Sequence, residues 1–402
     1  MLTITLVCIG FSIAVVASWG VTTGFWQPIG IYPAGDGNLW ETRILGFESF
    51  KLSTGTPSYD PANNQIALVD SDGDILWSLG GFAIPHSITP LPNGDLLVSD
   101  CENNQVLAIA YPSGTVTWDW QPSLINWTAV NPEWGPTHYY NNPVAFDWTH
   151  VNDADWFNHT TWMGVLISLR NWDLVVEVNY TADVANPSQA SHITWWYGDL
   201  GNYTLLDHQH GPTYDANGNI WIADSDNQRV VAINYTTKTA FWTYENSLGW
   251  VRGVTPLANG NVLIAATDKV IEVTPAEQVV WSYSLGVVNA YAAVRFPNGN
   301  TVISNNFGSS ILTVSPTGTL IKSVGYPAVL WVPAIVVLPA LLLPFARVVW
   351  SPKETRRFRE RLTRRFVLYE VCGLCIAVVV TVALPWILCA TEWLPFLPNS
   401  WR

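Results

Sequence analysis

Seven histidines occur in the 402-residue chain, and three of them stand where imidazoles can share one site. His86 and His210 lie eight residues before the glycines of two Asn-Gly turns, Gly94 and Gly218, and Arg252 and Tyr291 keep the same offset from Gly260 and Gly299. His150 opens an intervening segment, Trp148-Thr-His-Val-Asn152. A lone histidine at the start of a strand is more often a satisfied turn or core residue; a set repeated at one offset is harder to explain that way. Imidazole and guanidinium groups brought together hold a dispersed anionic charge, a neutral imidazole is a competent nucleophile, and a second imidazole titrating near neutrality moves a proton. Transfer of an anionic group needs these parts, with nucleophile and leaving oxygen in line. No glycine-rich phosphate loop of the P-loop type occurs, so a nucleotide donor is not indicated.

The elements that must bring these residues together are visible as an internal repeat. Leu91 to Asp100, Tyr214 to Asp224, Leu257 to Ala265 and Phe296 to Ser304 align without gaps around Asn-Gly before a β-branched or aliphatic run, a strong hairpin signal. Gly218, Gly260 and Gly299 are 42 and 39 residues apart, the period of four-stranded propeller blades. Three of the hairpins run on into alternating segments that end in tryptophan, at Trp118, Trp242 and Trp281. A divergent blade with middle strands at 164–168 and 173–178 fits between Gly94 and Gly218, with Gln121 to Phe146 as an inserted loop. Adding Gln65 to Trp77 predicts an all-β, six-bladed β-propeller over roughly Arg43 to Val324. In such a fold the first strand of each blade lines the central channel, so His86, His150, His210 and Arg252 should converge at one end of it.

Composition sets the surroundings. The chain is 49% apolar and only 12% charged, with a net charge of −13, which excludes a disordered polyanion and a nucleic-acid binder of the usual basic kind. Apolar runs from Leu2 to Val21, Ala328 to Ala346 and Phe366 to Ala390 are long enough to span a bilayer; the first also passes as a signal peptide. The loop 351–365 carries seven basic residues against Glu354 and Glu360 and should stay cytoplasmic. The organisation expected is an N-terminal anchor or signal (1–26), an extracellular propeller (27–326), a second span (327–350), the basic loop, a third span (366–390) and a short tail (391–402). Residues 27–326 hold 9 basic and 27 acidic residues, a net charge of −18 that suits a soluble surface repelling polyanions. Five Asn-x-Thr sequons (Asn126, Asn158, Asn179, Asn202, Asn234) fall in the same region and mark potential glycosylation.

Other motifs read as structure. Cys101 is the only cysteine of the predicted ectodomain, so no internal disulfide staples it, and Cys372-x-x-Cys375 reads as small residues within a membrane helix. Asp224 with Arg229 resembles the blade-locking pair of NHL-type repeats. Asp70-Ser-Asp72-Gly-Asp74 has calcium-loop spacing without the later glutamate and reads as a hairpin turn.

These motifs together resemble the arylsulfate sulfotransferase family of six-bladed propeller enzymes, over most of residues 43–324. The resemblance is carried by His86 in Pro-His-Ser-Ile-Thr-Pro-Leu-Pro-Asn-Gly-Asp, His150-Val-Asn152 at a blade opening, Arg170 in Ile-Ser-Leu-Arg-Asn-Trp-Asp and His210 in Gln-His-Gly-Pro. It implies a nucleotide-independent transfer of a sulfuryl group from an aryl sulfate to a phenolic or other hydroxyl acceptor, with no cofactor and no metal. His210 would be the covalent nucleophile, with His86, His150 and Arg170 catalytic beside it and Asn152 binding substrate; Arg252 joins Asn152 as a substrate-binding candidate from its repeat position. Alternation along a strand could place His208 on the same face as His210. The spacings between motifs are short for the family, and the C-terminal pair of spans is unlike its soluble secreted members. Two other readings stay open on the residues alone: a membrane-tethered binding propeller, and a metal-dependent propeller lyase or lactonase.

Overall fold

The computed structural model describes residues 26–45, 64–134, 147–285, 290–306 and 308–325. The segment Trp26–Gly325 forms one compact unit. Its 24 strands make six antiparallel sheets of four, each from consecutive strands ordered from the axis outward. Blade 1 is β1 (Trp26–Gly35), β2 (Asn38–Leu45), β3 (Gln65–Val69) and β4 (Ile75–Gly80). Blade 2 is β5 (Pro85–Pro90), β6 (Leu96–Asp100), β7 (Gln105–Ala110) and β8 (Thr115–Trp120). Blade 3 is β9 (Val151–Asn158), β10 (Met163–Leu169), β11 (Leu174–Asn179) and β12 (Ile193–Gly198). Blade 4 is β13 (His210–Tyr214), β14 (Ile220–Asp224), β15 (Arg229–Asn234) and β16 (Thr239–Tyr244). Blade 5 is β17 (Val251–Pro256), β18 (Val262–Ala266), β19 (Lys269–Val273) and β20 (Val279–Ser284), and blade 6 is β21 (Ala290–Arg295), β22 (Thr301–Asn305), β23 (Ser310–Val314) and β24 (Leu320–Gly325).

The six blades and the divergent third blade match the expectation. The first blade does not start near Arg43: β1 and most of β2 precede it. Their turn at Gly35-Asp36-Gly37 lacks the Asn-Gly signature, and Pro28 and Pro33 within β1 break the strand pattern. Within the expected inserted loop, Trp127–Val130 forms a short helix whose Trp127 is fully buried. The three apolar runs, the basic loop and Cys372 and Cys375 lie outside the described residues; among the described residues no helix is long and apolar enough to cross a membrane.

Period-2 alternation turns each strand's aliphatic side chains toward the neighbouring blades, and every blade interface has its own apolar cluster. Val230, Val251 and Ile264 fill the interface of blades 4 and 5, and Trp26, Ile31 and Val302 that of blades 6 and 1. The outer-strand tryptophans bridge blades: Trp77 Nε1 donates to the Pro112 carbonyl at 3.1 Å, Trp195 to Tyr235 at 2.8 Å and Trp242 to Pro275 at 3.1 Å. This accounts for their recurrence, since an indole offers large apolar area with one donor to satisfy. Among the described residues no strand is exchanged to close the ring. Blade 6 meets blade 1 through Ser304 Oγ donating to the Pro28 carbonyl at 2.9 Å and through Lys322 paired with Asp72. The Asp70–Asp74 segment there is a hairpin turn in which Asp70 Oδ1 accepts the backbone N–H groups of Asp72 and Asp74.

Candidate active site

One irregularity recurs at the start of the innermost strands. In blade 2 the pairing passes from Pro85 with Asp100 to Ser87 with Ser99, which leaves His86 as an extra residue. Blade 5 does the same at Arg252, blade 6 at Tyr291 and blade 3 at Asn152, and the blade 4 register shifts between His210 and Thr213. A bulge leaves one residue unpaired and re-aims its side chain. The residues at the repeat offset therefore turn out of the blade interfaces toward the axis. Backbones crowd there: a Cβ on Gly30 would sit 2.8 Å from Ser87 Cα, and Gly211 holds φ +50° beside Arg252.

The bulges bring the expected residues together. The His86 ring centroid lies 5.6 Å from that of His150, 5.9 Å from His210 and 5.1 Å from Tyr291. Arg252 Nη1 is 2.8 Å from His210 Nε2, and the Tyr291 hydroxyl is 2.6 Å from His86 Nε2. Arg170, in the turn after β10, is half-buried, and its charge acts on both His86 and His210. Asn152 Nδ2 donates to the Gln209 carbonyl at 2.8 Å, joining blade 3 to the residue before His210. Gln209 is itself pinned to blade 3, its Nε2 donating to Ser168 Oγ and the Leu174 carbonyl.

Hydrogen bonds fix the state of His210. Its Nδ1 lies 3.0 Å from the His208 carbonyl, which can only accept, and 2.8 Å from Ser225 Oγ, whose own hydrogen goes to the Val251 carbonyl. Nδ1 therefore carries the proton and the Nε2 lone pair faces the ring of side chains, where it accepts from Arg252. Burial, reinforced by Arg252 and Arg170, holds the His210 imidazole well below the usual histidine range; burial and His150 do the same to His86. Both are neutral near pH 7. His150, in a left-handed conformation at φ +49°, sets its Nδ1 2.7 Å from Asp147 Oδ1. A carboxylate there fixes the tautomer and stabilises an imidazolium once Nε2 takes up a proton.

His208 does not share the face of His210. Its φ of +49° breaks the alternation, and the ring turns to the rim, where Asp226 and Asp207 raise its pKa. The scaffold beneath is built from aspartates at the ends of second strands. Asp100 Oδ1 accepts the N–H groups of Ala83 and Ile84, just before His86. Asp224 accepts the Asp207 N–H and pairs with Arg229 at 2.7 Å, as expected of a blade-locking pair.

Ser225, Asp147 and the holding role of Gln209 escape a reading of the sequence, as do Asp153 and Asp155. The last two line the axial cavity of about 630 Å³, with His86, Arg252 and Tyr291. Asp153 is enclosed by protein yet touches the lumen, and burial, with the Asp155 charge, pushes its carboxyl up to about 7. A groove of about 610 Å³ outside blade 2, walled by Val116, Leu124 and Val184, carries a single carboxylate, Asp119, and no imidazole or guanidinium. Among the described residues two groups of side chains have metal-ligand spacing, Cys101 with Asp147 and His150, and Asp173 with Asp207 and His208. In the second, Asp173 Oδ1 already accepts the His208 N–H and Asp207 Oδ1 the His208 ring.

No protein-family model matches the sequence, and no curated protein matches it. Solved structures similar to the chain include a streptogramin B lyase (13% identity, TM-score 0.47, covering 74% of this chain and 83% of that one) and a selenomethionine-substituted virginiamycin B lyase from Staphylococcus aureus (11%, 0.47, 74% and 84%). The β-propeller domain of Myceliophteria thermophila Cps50 (Swd1) is similar to the same degree (12%, 0.45, 74% and 86%). The likeness is one of chain path, and the arylsulfate sulfotransferase resemblance gains no support from it.

Proposed function

We propose that the protein transfers a sulfuryl group from an aryl sulfate to a hydroxyl acceptor through a covalent intermediate on His210, from a propeller held outside the cell by the flanking apolar runs. The observation that carries the reading is the Nε2 lone pair of His210, aimed into a cluster of imidazole, guanidinium and phenol groups and kept unprotonated by the Nδ1–H bonds to His208 and Ser225. The donor's sulfate oxygens take up the hydrogen bonds of Arg252 and Tyr291 and the field of Arg170. Nε2 attacks sulfur, the sulfur–oxygen bond to the aryl group breaks, and the phenolate leaves with a proton from the His150 imidazolium. The new positive charge on the His210 ring is met by the His208 carbonyl at Nδ1. In the second half the acceptor hydroxyl gives its proton to His150 and attacks sulfur, and the nitrogen–sulfur bond breaks. Positioned donors around a developing oxyanion are the largest single contribution available to such a site.

The test is incubation of the purified protein with a chromogenic aryl sulfate. The reading expects phenol release and an adduct of about 80 Da on the peptide carrying His210, the mass of a transferred sulfuryl group. Neither product across several aryl sulfates would overturn it in favour of an anion-binding propeller.

A further inference from the structure

Below the ring the inner strands repeat a second pattern. The residues that follow His86, Asn152, His210, Arg252 and Tyr291 are Ser87, Asp153, Gly211, Gly253 and Ala292, and all five line the axial cavity of about 630 Å³. Period-2 alternation returns each chain to the lumen two residues later, at Thr89, Asp155, Thr213, Thr255 and Val294, which line it too. At both levels four of these five strands present a small or uncharged residue, and blade 3 alone presents a carboxylate at each. Asp153 stands one residue beyond Asn152 and Asp155 three, about 10 Å along the strand.

Neither carboxylate is matched by a cation. Arg252 is the only lysine or arginine lining the cavity among the described residues, and its guanidinium is turned to His210 Nε2 in the ring above. Burial raises the pKa of both aspartates, and what opposes it is hydrogen bonding, from Ser87 and a backbone N–H to Asp153 and from Thr213 and two backbone N–H groups to Asp155. The threonine hydroxyls of the lower level are committed to the scaffold: Thr213 Oγ1 donates to Asp155 Oδ2 at 2.6 Å, Thr89 Oγ1 to the Ala154 carbonyl at 3.1 Å and Thr255 Oγ1 to the Ala293 carbonyl at 3.0 Å. A carboxylate held away from water without a cation is costly, and an incoming cation offsets that cost. Tyr32, Trp156 and Phe157 line the same space, and aromatic faces attract an ammonium. The cavity is therefore polarised along the axis, with guanidinium and imidazole at the ring and anionic charge below it.

We infer that the cavity below the ring seats the aryl body of the substrate, and that Asp153 and Asp155 select a ring whose arm ends in an ammonium over one whose arm ends in an anion. With the sulfate among His210, Arg252 and Tyr291, a phenyl ring and a two-carbon arm carry a terminal nitrogen to the depth of Asp155. The phenyl ring then passes the level at which Gly211, Gly253 and Ala292 carry little or no side chain. The inference rests on the sulfuryl-transfer reading for the sulfate; the preference of the cavity for an organic cation stands without it.

The test compares three aryl sulfates with para arms of matched length, aminoethyl, ethyl and carboxymethyl, at about pH 8, above the Asp153 value of about 7. Saturated carbon separates each charge from the phenol oxygen, so the leaving groups stay close in acidity. The specificity constant kcat/KM should fall in the order aminoethyl, ethyl, carboxymethyl, with on the order of 100-fold between the ends. In the double variant Asp153→Asn, Asp155→Asn, which keeps an acceptor for Thr213, that ratio should drop to about tenfold or less, and each single variant should fall between. Thermal unfolding checks that each is folded. The sulfate-free phenols are also titrated calorimetrically into parent and variants, and the aminoethyl phenol should bind the parent at least about tenfold more tightly than it binds the double variant. Equal turnover of the three rings, or the parent's ratio retained in the variants, would overturn the inference and leave sulfuryl transfer standing. Selective binding that vanishes in the variants of a protein that turns over no aryl sulfate would sink the sulfuryl reading and uphold the cation-selecting cavity. Neither turnover nor selective binding would overturn both.

Discussion

Two buried polar clusters, one between blades 3 and 4 and one at the axis, are finished to different degrees. At the interface of blades 3 and 4, the fully buried Glu177 carboxylate receives four donors: His159 Nε2 at 2.7 Å, Thr194 Oγ1 at 2.8 Å, and the hydroxyls of Tyr214 and Tyr235 at 2.5 Å each. Burial and the Glu177 charge raise the pKa of both tyrosines, which keeps them donors. At the axis, by contrast, Asn152 Oδ1, Gln209 Oε1 and Arg252 Nε are buried without a hydrogen-bond partner among the described residues. A satisfied network specifies structure, whereas an unsatisfied one costs stability and persists where something else completes it. The Glu177 cluster is complete in itself and ties two blades together, whereas the axial ring leaves polar atoms open in the way the proposed binding of an anion requires.

The largest effect expected is the loss of chemistry on substituting the nucleophile. His210→Ala should abolish both phenol release and the adduct in a protein that thermal unfolding still shows to be folded. An adduct that survives in this variant, or that maps to His208, would break the assignment while leaving the enzyme class intact.

The opposite outcome is expected at the tie. Glu177→Ala leaves the buried Tyr214 hydroxyl and three less buried donors without their acceptor and should lower the unfolding free energy by about 3 kcal/mol, read from urea denaturation, with the rate of adduct formation per folded molecule unchanged. A stable variant with impaired chemistry would erase the distinction between the two clusters.

Within the ring the cations should separate from the nucleophile. Arg170→Ala should slow adduct formation on the order of 100-fold by removing charge from the transition state, with the adduct still on His210. Arg252→Met removes a half-buried cation whose Nε has no partner among the described residues, so it should slow the reaction and raise stability together. Because Arg252 depresses the His210 pKa, the acid limb of the rate of adduct formation should also move to higher pH in this variant. An unmoved limb would show that the guanidinium does not act on Nε2.

What could be read from the sequence divides along the same line. The Asn-Gly period and the eight-residue offset are local, so the blades and the members of the ring are legible. The bulges that turn His86, Arg252 and Tyr291 to the axis follow the repeat and share its visibility. Ser225 reaches His210 only because β13 and β14 pair, and Asp147 reaches His150 only because both adopt left-handed backbone, at φ +56° and +49°. Positive φ at non-glycine residues has little sequence signature. Glu177 is invisible for a further reason: its partners come from four separate elements.

The smallest effect expected concerns the carboxylate that neither cluster uses. Asp153 lines the cavity below the ring, and its carboxyl is raised to about 7 by burial and Asp155. The folded protein therefore binds this proton more tightly than the unfolded chain, whose aspartate titrates near the ordinary value of about 4. The stabilisation is complete below about pH 4 and is lost as the pH rises through about 7. The buried neutral histidines pull the other way, losing stability as the pH falls below the ordinary histidine value of about 6.5. Asp153→Asn removes only the first trend. At full burial the rise in pKa corresponds to about 4 kcal/mol, and lumen water screens part of that, so the variant should exceed the parent in stability by about 2 kcal/mol at pH 8 and match it near pH 4. Urea titrations at the two pH values read the difference. Equal stability at both would mean that the Asp153 charge is solvated as well in the channel as in water, and the axial cavity would then be an open aqueous pore beneath the ring.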